Sequence, residues 1–183
     1  MKNTVLKLEN VSVGYGSKEI VSAINATINS NELVAVLGKN GAGKSTLINT
    51  ILGFQKTLSG EIYLENNSIK KLSSQEIAQQ IAVVLPRLSV VPKIKVSELV
   101  AMGRLPYHKV LKKISEKEQN LIDEVLELVG ITNLANQFAN EISEGQLQLV
   151  MIARALCQDA KLVIFDEPTS NLDLANQYRI FNL

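Results

Sequence analysis

The sequence has little of what marks secreted, membrane-spanning or nucleic-acid-binding proteins. Its 183 residues contain one cysteine, Cys157, so no disulfide framework can form, and this favours a reducing compartment. No stretch approaches the roughly 18 consecutive apolar residues of a membrane-spanning helix. The start, MKNTVLKLEN, lacks the long apolar region of a secretory signal. We therefore expect an intracellular protein that reaches a membrane only through a partner.

Charge, repeats and linkers are also scarce. The formal net charge is +1, which gives no electrostatic reason to expect a nucleic-acid partner. Repeats, low-complexity tracts and proline-rich linkers are missing. The residues are 46% hydrophobic and 20% charged, enough to bury a core. The length fits one domain with a smaller insertion. We interpret Cys157 as a buried, inert thiol and the single histidine, His108, as a surface residue.

Hydrophobic patterns predict alternating strands and helices. Alternation predicts a half-buried strand over residues 4–13, and residues 20–28 are typical of another. Three continuous apolar runs, LVAVLG (33–38), IAVVLP (81–86) and KLVIFDE (161–167), predict strands buried on both faces. Helices are predicted over SSQEIAQQ, VSELVAMGR, SEKEQNLIDEVLELVG and EGQLQLVMIARALCQ. Capping residues support two of them. Ser73 or Ser74 would cap the first, and Ser115 with Glu118 would cap the start of the third, which Gly130 would end.

One glycine-rich stretch indicates phosphate binding. GKNGAGKS matches G-x-x-x-x-G-K-[ST], with an apolar run before it and a helical pattern after it. The glycines allow successive N–H groups to point inward at a phosphate. Lys44 is predicted to reach the β- and γ-phosphates and Ser45 to ligate Mg²⁺. The predicted ATP-binding residues of this loop are Gly38, Lys39, Asn40, Gly41, Ala42, Gly43, Lys44, Ser45 and Thr46.

Two carboxylates follow the last apolar run. Asp166 stands at the carboxyl end of a predicted strand, the edge at which open parallel sheets hold ligands. We expect Asp166 to hold Mg²⁺, directly or through water, and Glu167 to polarise the attacking water. Glu167 and Lys44 are therefore the predicted catalytic residues. Without the phosphate loop, the pair would be interpreted as an ordinary acidic turn. Together with that loop, the pair indicates a catalytic and metal-binding role.

These elements predict an α/β fold. Its P-loop NTPase core has a mixed sheet with flanking helices and antiparallel N-terminal strands, and we assign it residues 1–88 and 156–183. Residues 89–155 are predicted to form an inserted helical subdomain. The pattern ends within a helix at residue 183 without a stop signal. We expect a C-terminally truncated chain whose last strands are missing, whose sheet edge is exposed and whose solubility is poor.

The segment ISEGQ narrows the interpretation. Followed by LQLVMIARAL and LVIFDEPTSNLD, it resembles the ATPase subunits of ABC transporters, whose signature loop is L-S-G-G-Q. The resemblance covers the whole chain. It implies that Tyr15 stacks on adenine, although a tyrosine packed on the core is the alternative. It also implies that the signature residues Ser143, Glu144, Gly145 and Gln146 meet the γ-phosphate of ATP on a second subunit, and that Asp173 couples the two sites.

The implied cofactors are ATP and Mg²⁺, and the implied partners are a second ATP-binding subunit, in a homodimer, and membrane permease subunits. That places the protein peripherally on the cytoplasmic face of the membrane. Val96 to Tyr107, above all GRLPY, resemble importers of iron–siderophore, haem or cobalamin. The sequence does not distinguish between these three substrates. A DNA- or ribosome-acting relative, a P-loop kinase and a GTPase remain weaker alternatives.

Three features depart from the family pattern. Arg87 replaces a glutamine that touches Mg²⁺ and links the site to the permease, and an arginine cannot ligate a cation. The histidine that follows the next strand is not in the sequence. Leu147 and Leu149 stand where relatives often carry basic residues, and we expect an exposed pair that either packs on a partner or reflects neutral drift. The alternative hypothesis is accordingly an ATP-binding module impaired in hydrolysis.

Overall fold

The structure is a computed structural model that describes residues 3–85, 93–108 and 114–167. The chain divides into two compact units, Met1–Ile81 and Ala82–Leu183. The assignment of residues 89–155 to a separate helical subdomain stays a prediction. In the described part of the chain, no helix is long and apolar enough to cross a membrane.

The first unit is built on an antiparallel sheet. Strand β1 (Thr4–Tyr15) pairs with β2 (Lys18–Asn29) on one side and with β3 (Ser59–Leu64) on the other. The short β4 (Asn67–Ser68) pairs with β3, so the order is β2-β1-β3-β4. This confirms the predicted antiparallel N-terminal strands. The central strand supplies much of the core, because Val11 and Val13 are fully buried.

Two helices and one 3-10 turn complete the first unit. Helix α1 (Lys44–Ile51) follows the glycine-rich loop, and its Ile51 is buried. A 3-10 turn, Ile69–Lys71, precedes α2 (Ser74–Gln80). Ser73, one of the two predicted caps, is the N-cap of α2, and it also forms a capping box with Glu76.

The second unit combines a two-stranded sheet with helices. Strand β5 (Ile81–Val84) pairs with β6 (Leu162–Phe165). The helices are α3 (Val96–Ala101), a 3-10 helix (Met102–Tyr107), α4 (Glu116–Val129), a 3-10 turn (Thr132–Leu134) and α5 (Glu144–Cys157). Ser115 and Glu118 form the predicted capping box of α4, and Gly130 ends it in a left-handed conformation with φ of 70°.

Helix α5 is the central element of the second unit. One side packs on a cluster from α3 and α4 that includes Val100 and Leu126. Another side packs on Ala82 and Val84 of β5. Leu149 is 3% exposed within the first cluster, and Leu147 is half-buried. The expectation of an exposed leucine pair is therefore wrong, because position 149 points into the core and needs an apolar side chain.

Two of the three apolar runs differ from the prediction. Residues 33–37 belong to no strand, and Leu33 is 99% exposed. Strand β6 forms, but its residues are half-buried or exposed instead of buried on both faces. Only β5 is buried as predicted. A strand forms only where neighbouring strands accept and donate its backbone hydrogen bonds. A continuous apolar run indicates that the segment favours burial, but it does not specify those neighbours.

Candidate functional site

The glycine-rich loop leads into α1 through a turn that uses positive φ angles at two glycines. Gly41 and Gly43 have φ of 80° and 94°, in the left-handed region that favours glycine. Gly43 is the N-cap residue, and it supplies no side-chain cap to the first turn of α1. The backbone N–H groups of that turn and the positive end of the helix dipole form the usual anion-binding arrangement.

Lys44 folds back over this loop. Its Nζ donates to the carbonyl of Gly38 at 2.7 Å and to that of Lys39 at 3.1 Å. An ammonium group has three donors, so these two bonds leave capacity for a phosphate oxygen. The loop is closed further by the bond from the Ala42 N–H to the Lys39 carbonyl, at 3.1 Å. The cation is therefore held at the mouth of the loop before any ligand binds.

Strand β2 supports the loop from below. A Cβ on Gly43 would lie 2.6 Å from Cγ2 of Val21 and 2.8 Å from Cγ2 of Ile20, too close for any side chain. Two separate features therefore favour glycine at position 43: its positive φ and its close approach to the side chains of β2. Sequence reasoning assigned the loop glycines to phosphate approach, but it missed that Gly43 also seats the loop on the sheet.

Tyr15 lies at the end of the same hairpin. It pairs with Lys18 across the turn, and Val13, two residues earlier on its strand, pairs with Val21, which touches Gly43. Two residues of strand span about 7 Å. The ring is 58% exposed, so it is not the core-packed tyrosine of the alternative interpretation. The hairpin turn is fixed by the Gln55 side-chain amide, which donates to the Gly14 carbonyl.

The segment ISEGQ forms the start of α5. Ser143 is the N-cap: its hydroxyl accepts the Gln146 N–H at 3.2 Å, and its own N–H donates to Gln146 Oε1 at 2.9 Å. Glu144 is exposed in the first turn, followed by Gly145. The predicted helix N-terminus is confirmed. The capping box was missed, although the S-x-x-Q spacing carries its signal.

The acidic pair lies where β6 ends. The Asp166 N–H donates to the Val84 carbonyl of β5 at 3.0 Å, which continues the strand pairing to this residue. Asp166 is half-buried and Glu167 is exposed. Glu167 has φ of 50°, a conformation that costs a non-glycine residue about 1–3 kcal/mol.

Residues 21–170 match the ABC transporter family. The chain belongs to this family. The match spans the phosphate loop, the ISEGQ helix start and the acidic pair, the three features described above.

Known ABC proteins resemble the chain over almost its full length. An uncharacterised ABC transporter ATP-binding protein of Methanocaldococcus jannaschii is 39% identical over 96% of this chain and 61% of its own length. The iron(3+)-hydroxamate import ATP-binding protein of Bacillus subtilis is 35% identical over 97% of this chain and 66% of its own length. The chain thus spans about two thirds of the length of these relatives.

Solved structures support the same fold. A metal-chelate type ABC transporter in an inward-facing conformation superposes with a TM-score of 0.83 at 32% identity, over 98% of this chain and 66% of that one. A nucleotide-free ATP-binding cassette superposes with a TM-score of 0.84 at 28% identity, over 98% of this chain and 75% of that one. The predicted α/β P-loop NTPase fold is therefore confirmed.

The residues present fit the Mg²⁺ that ABC proteins use. Ser45 in the first unit carries a hydroxyl and Asp166 in the second unit carries a carboxylate, and both are the kind of hard oxygen ligand that Mg²⁺ prefers. Their assignment to one Mg²⁺ site stays a prediction. Among the described residues, no group of three or more acidic, histidine or cysteine side chains could hold a metal alone.

Other predicted residues have different outcomes. Arg87 and Asp173 lie outside the described residues, so their roles stay predictions. His108 is an ion-pair partner: its Nε2 lies 2.9 Å from Glu118 Oε1, and its side chain is 16% exposed. The prediction of a surface histidine is therefore only partly right. Cys157 is buried, and burial raises the pKa of its thiol to about 11, as expected of an inert cysteine.

Proposed function

We propose that this chain is the ATP-binding and ATP-hydrolysing part of an ABC importer that takes up a metal chelate of the iron–siderophore class. The observation that carries the proposal is the phosphate loop, in which Lys44 is held over Gly38 and Lys39 at an uncapped helix start. That arrangement binds a polyphosphate without further rearrangement of the backbone.

The phosphate loop has the binding role. The N–H groups of residues 41–46 face the β-phosphate, Lys44 reaches the β- and γ-phosphates, and Tyr15 stacks on the adenine. The exposure of Tyr15 and its short strand path to Val13 support this assignment. An exposed aromatic ring is suited to stacking because its face is accessible to a base, and stacking removes apolar surface of both rings from water.

The acidic pair has the catalytic role. Glu167 accepts a hydrogen bond from water, which attacks the γ-phosphorus while the bond to the β,γ-bridging oxygen breaks, giving ADP and phosphate. Ser45 and Asp166 would hold Mg²⁺, which would supply positive charge to the phosphate oxygens. Lys44 stabilises the same charge through a group that is already oriented, which is the largest kind of catalytic contribution.

The signature helix acts on a second copy. Ser143 Oγ accepts the Gln146 N–H, so its hydroxyl keeps the capacity to donate, and the N–H groups of Glu144 and Gly145 follow it in the first turn. A donor set at a helix N-terminus suits the γ-phosphate of ATP held by the opposing subunit. We therefore assign a head-to-tail homodimer with two ATP molecules between the subunits. Asp173 is assigned to coupling between them.

Membrane permease subunits and a substrate complete the proposal. Relatives carry names that include siderophore, iron(3+)-hydroxamate, petrobactin and achromobactin, and one structural neighbour is of the metal-chelate type. These names support an iron chelate over haem or cobalamin. The protein would then act peripherally on the cytoplasmic face of the membrane, through the permease.

The test is single-turnover hydrolysis with the catalytic carboxylate removed. Glu167→Gln should keep ATP binding while phosphate release falls about 10²–10³-fold. Unchanged phosphate release from Glu167→Gln would contradict the assignment. Uptake of a radiolabelled iron–siderophore, compared with haem and cobalamin, in cells that carry or lack the gene tests the substrate class separately.

Arg87 favours a second candidate function, an ATP-binding module with impaired hydrolysis. A guanidinium cannot ligate Mg²⁺ and repels it. This candidate predicts tight ATP binding with negligible phosphate release by the unmodified protein. Arg87→Gln should then restore turnover, whereas under the first proposal it changes turnover little.

A further inference from the structure

The C-terminal end of α5 is capped by a side chain from a distant part of the sequence. The last four carbonyls of a helix have no partner within it. In α5, those of Arg154 and Ala155 accept the Gln158 N–H, at 3.2 and 3.3 Å, and that of Leu156 accepts the Asp159 N–H at 3.0 Å. The fourth carbonyl, that of Cys157, accepts a hydrogen bond from Nη1 of Arg104 at 3.1 Å.

The rest of the GRLPY segment lies against the same helix end. A Cβ on Gly103 would overlap the Arg154 carbonyl oxygen, so only glycine fits there. Nη1 of Arg104 also reaches the Gln158 carbonyl at 3.3 Å, and the Tyr107 hydroxyl lies 3.5 Å from the Asp159 carbonyl. The guanidinium sits over the Tyr107 ring at 4.1 Å, a cation–π contact.

Glu118 at the start of α4 orients this arginine. Its Oε2 accepts the Ser115 N–H at 3.0 Å and the Ser115 hydroxyl at 2.7 Å, which caps α4. Its Oε1 lies 2.9 Å from His108 Nε2 and 3.8 Å from Arg104 Nε. Arg104 and Glu118 are only 14% and 15% exposed, so water screens their interaction weakly.

We propose that Arg104 is a positioning residue for the signature helix. It fixes the C-terminal end of α5, whose N-terminal end carries Ser143, and it thereby holds the signature loop in register with the ATP of the opposing subunit. Fourteen residues of helix span about 21 Å and move as one body. A shift of about 1 Å at a reacting group can cost 10²-fold in rate, so a distant cap can affect turnover. The inference rests on the proposed function.

The test is a double-mutant cycle in the full-length protein. Arg104→Met keeps an unbranched apolar stem and removes the donors of the side chain. Lys95→Met, at an exposed basic residue of the same unit, is the control. Arg104→Met should lower kcat about tenfold or more. Arg104→Lys should recover part of this, since a lysine near a helix C-terminus also donates to its carbonyls.

The cycle separates positioning from general stability. If Arg104 acts through the signature loop, Arg104→Met in a Ser143→Ala background should cause little further loss. If the two losses multiply, Arg104 does not act through Ser143 and the inference is overturned. If Ser143→Ala alone leaves kcat unchanged, the proposed role of the signature loop fails, and the inference fails with it.

A measurement without turnover completes the test. The chain has ten glycines, so a ¹⁵N-glycine amide spectrum is simple. Arg104→Met should shift the amide resonance of Gly145, at the far end of α5, as well as that of Gly103, and Arg104→Lys should shift both less. Movement of Gly103 alone would mean a local cap without positioning and would overturn the inference.

Discussion

Two helix starts in this protein are assigned to phosphate, and they are built in opposite ways. The start of α1 has glycine at its N-cap, no side-chain cap and a lysine folded over the loop. The start of α5 has Ser143 at its N-cap and closes its own N–H groups with Gln146. The two starts differ in whether a side chain already accepts hydrogen bonds from their backbone N–H groups before a ligand binds.

This contrast has a physical consequence. An uncapped helix start gains hydrogen bonds when a phosphate binds, so α1 favours the nucleotide strongly. A capped start has fewer orphan donors and gains less, so α5 favours a phosphate weakly. A strong site that loads first and a weak site that closes second is the order that a dimerising ATPase needs. The predictions below break or sharpen this contrast, from the largest effect to the smallest.

Removing the cation from α1 should have the largest effect. Lys44→Ala removes the only described side chain that bridges the Gly38 and Lys39 carbonyls. We expect ATP hydrolysis to fall about 10²–10³-fold, measured by phosphate release, with Lys56→Ala as the exposed control. If the variant hydrolyses ATP within about threefold of the wild-type rate, the catalytic role assigned to Lys44 is contradicted.

Filling the backbone turn of α1 should cost stability. Gly43→Ala forces alanine into φ of 94° and against Ile20 and Val21, and we expect a loss of about 3 kcal/mol in the free energy of unfolding. Gly41→Ala is the control, since its φ is 80° but nothing lies within 4 Å of the added Cβ. Its loss should be about 1–2 kcal/mol. Equal losses in urea titrations would contradict the seating of Gly43 on β2.

Removing the cap of α5 should separate capping from function. Ser143→Ala should lower the free energy of unfolding by about 1 kcal/mol and should also reduce kcat, because it removes both the cap and a phosphate donor. Ser73→Ala, the N-cap of α2, is the matched control with a similar loss of stability. Turnover lost equally in both variants, measured alongside thermal melts, would mean that Ser143 acts through stability alone.

The charged cap of α4 predicts a pH effect. The Ser115 N–H and hydroxyl, followed by the charges of His108 and Arg104, hold the pKa of Glu118 below its usual value. A lowered folded-state pKa adds stability above the unfolded-state pKa, and this is lost as pH falls through the folded-state value.

Glu118→Gln should therefore be less stable than wild type at neutral pH, and the difference should shrink as the pH falls below about 4. Glu124→Gln, on the exposed face of the same helix, is the control. Urea unfolding at several pH values measures both. A difference that stays constant with pH would contradict the role of the Glu118 charge.

The apolar runs show how far the sequence predicts the fold. IAVV (81–84) is a buried strand, LVIF (162–165) is a partly exposed one, and LVAVL (33–37) is no strand. The three runs are similar in composition, so composition could not separate them. What differs is the neighbours: Val84 packs on Met151 and Ile152 of α5, whereas Leu33 is almost fully exposed. Neighbours are a tertiary property.

The candidate site shows the same limit. Local spacing predicted the phosphate loop, the acidic pair and the capping box of α4, because their residues are close in sequence. The same spacing rule would have found the Ser143–Gln146 box. The bond from Arg104 to the Cys157 carbonyl joins residues 53 apart, and the contact of Gly43 with Val21 spans a strand and a loop. Only packing brings these together.

The most direct test of the account mixes two inactive variants. In a head-to-tail dimer, Lys44→Ala spoils the phosphate loop and Ser143→Ala spoils the signature loop that faces it on the other chain. A mixed dimer then has one site with both defects and one intact site. Random mixing should restore about a quarter of wild-type ATP hydrolysis. If the equimolar mixture is no more active than the average of the two variants alone, the two helix starts do not share one ATP, and the account is wrong.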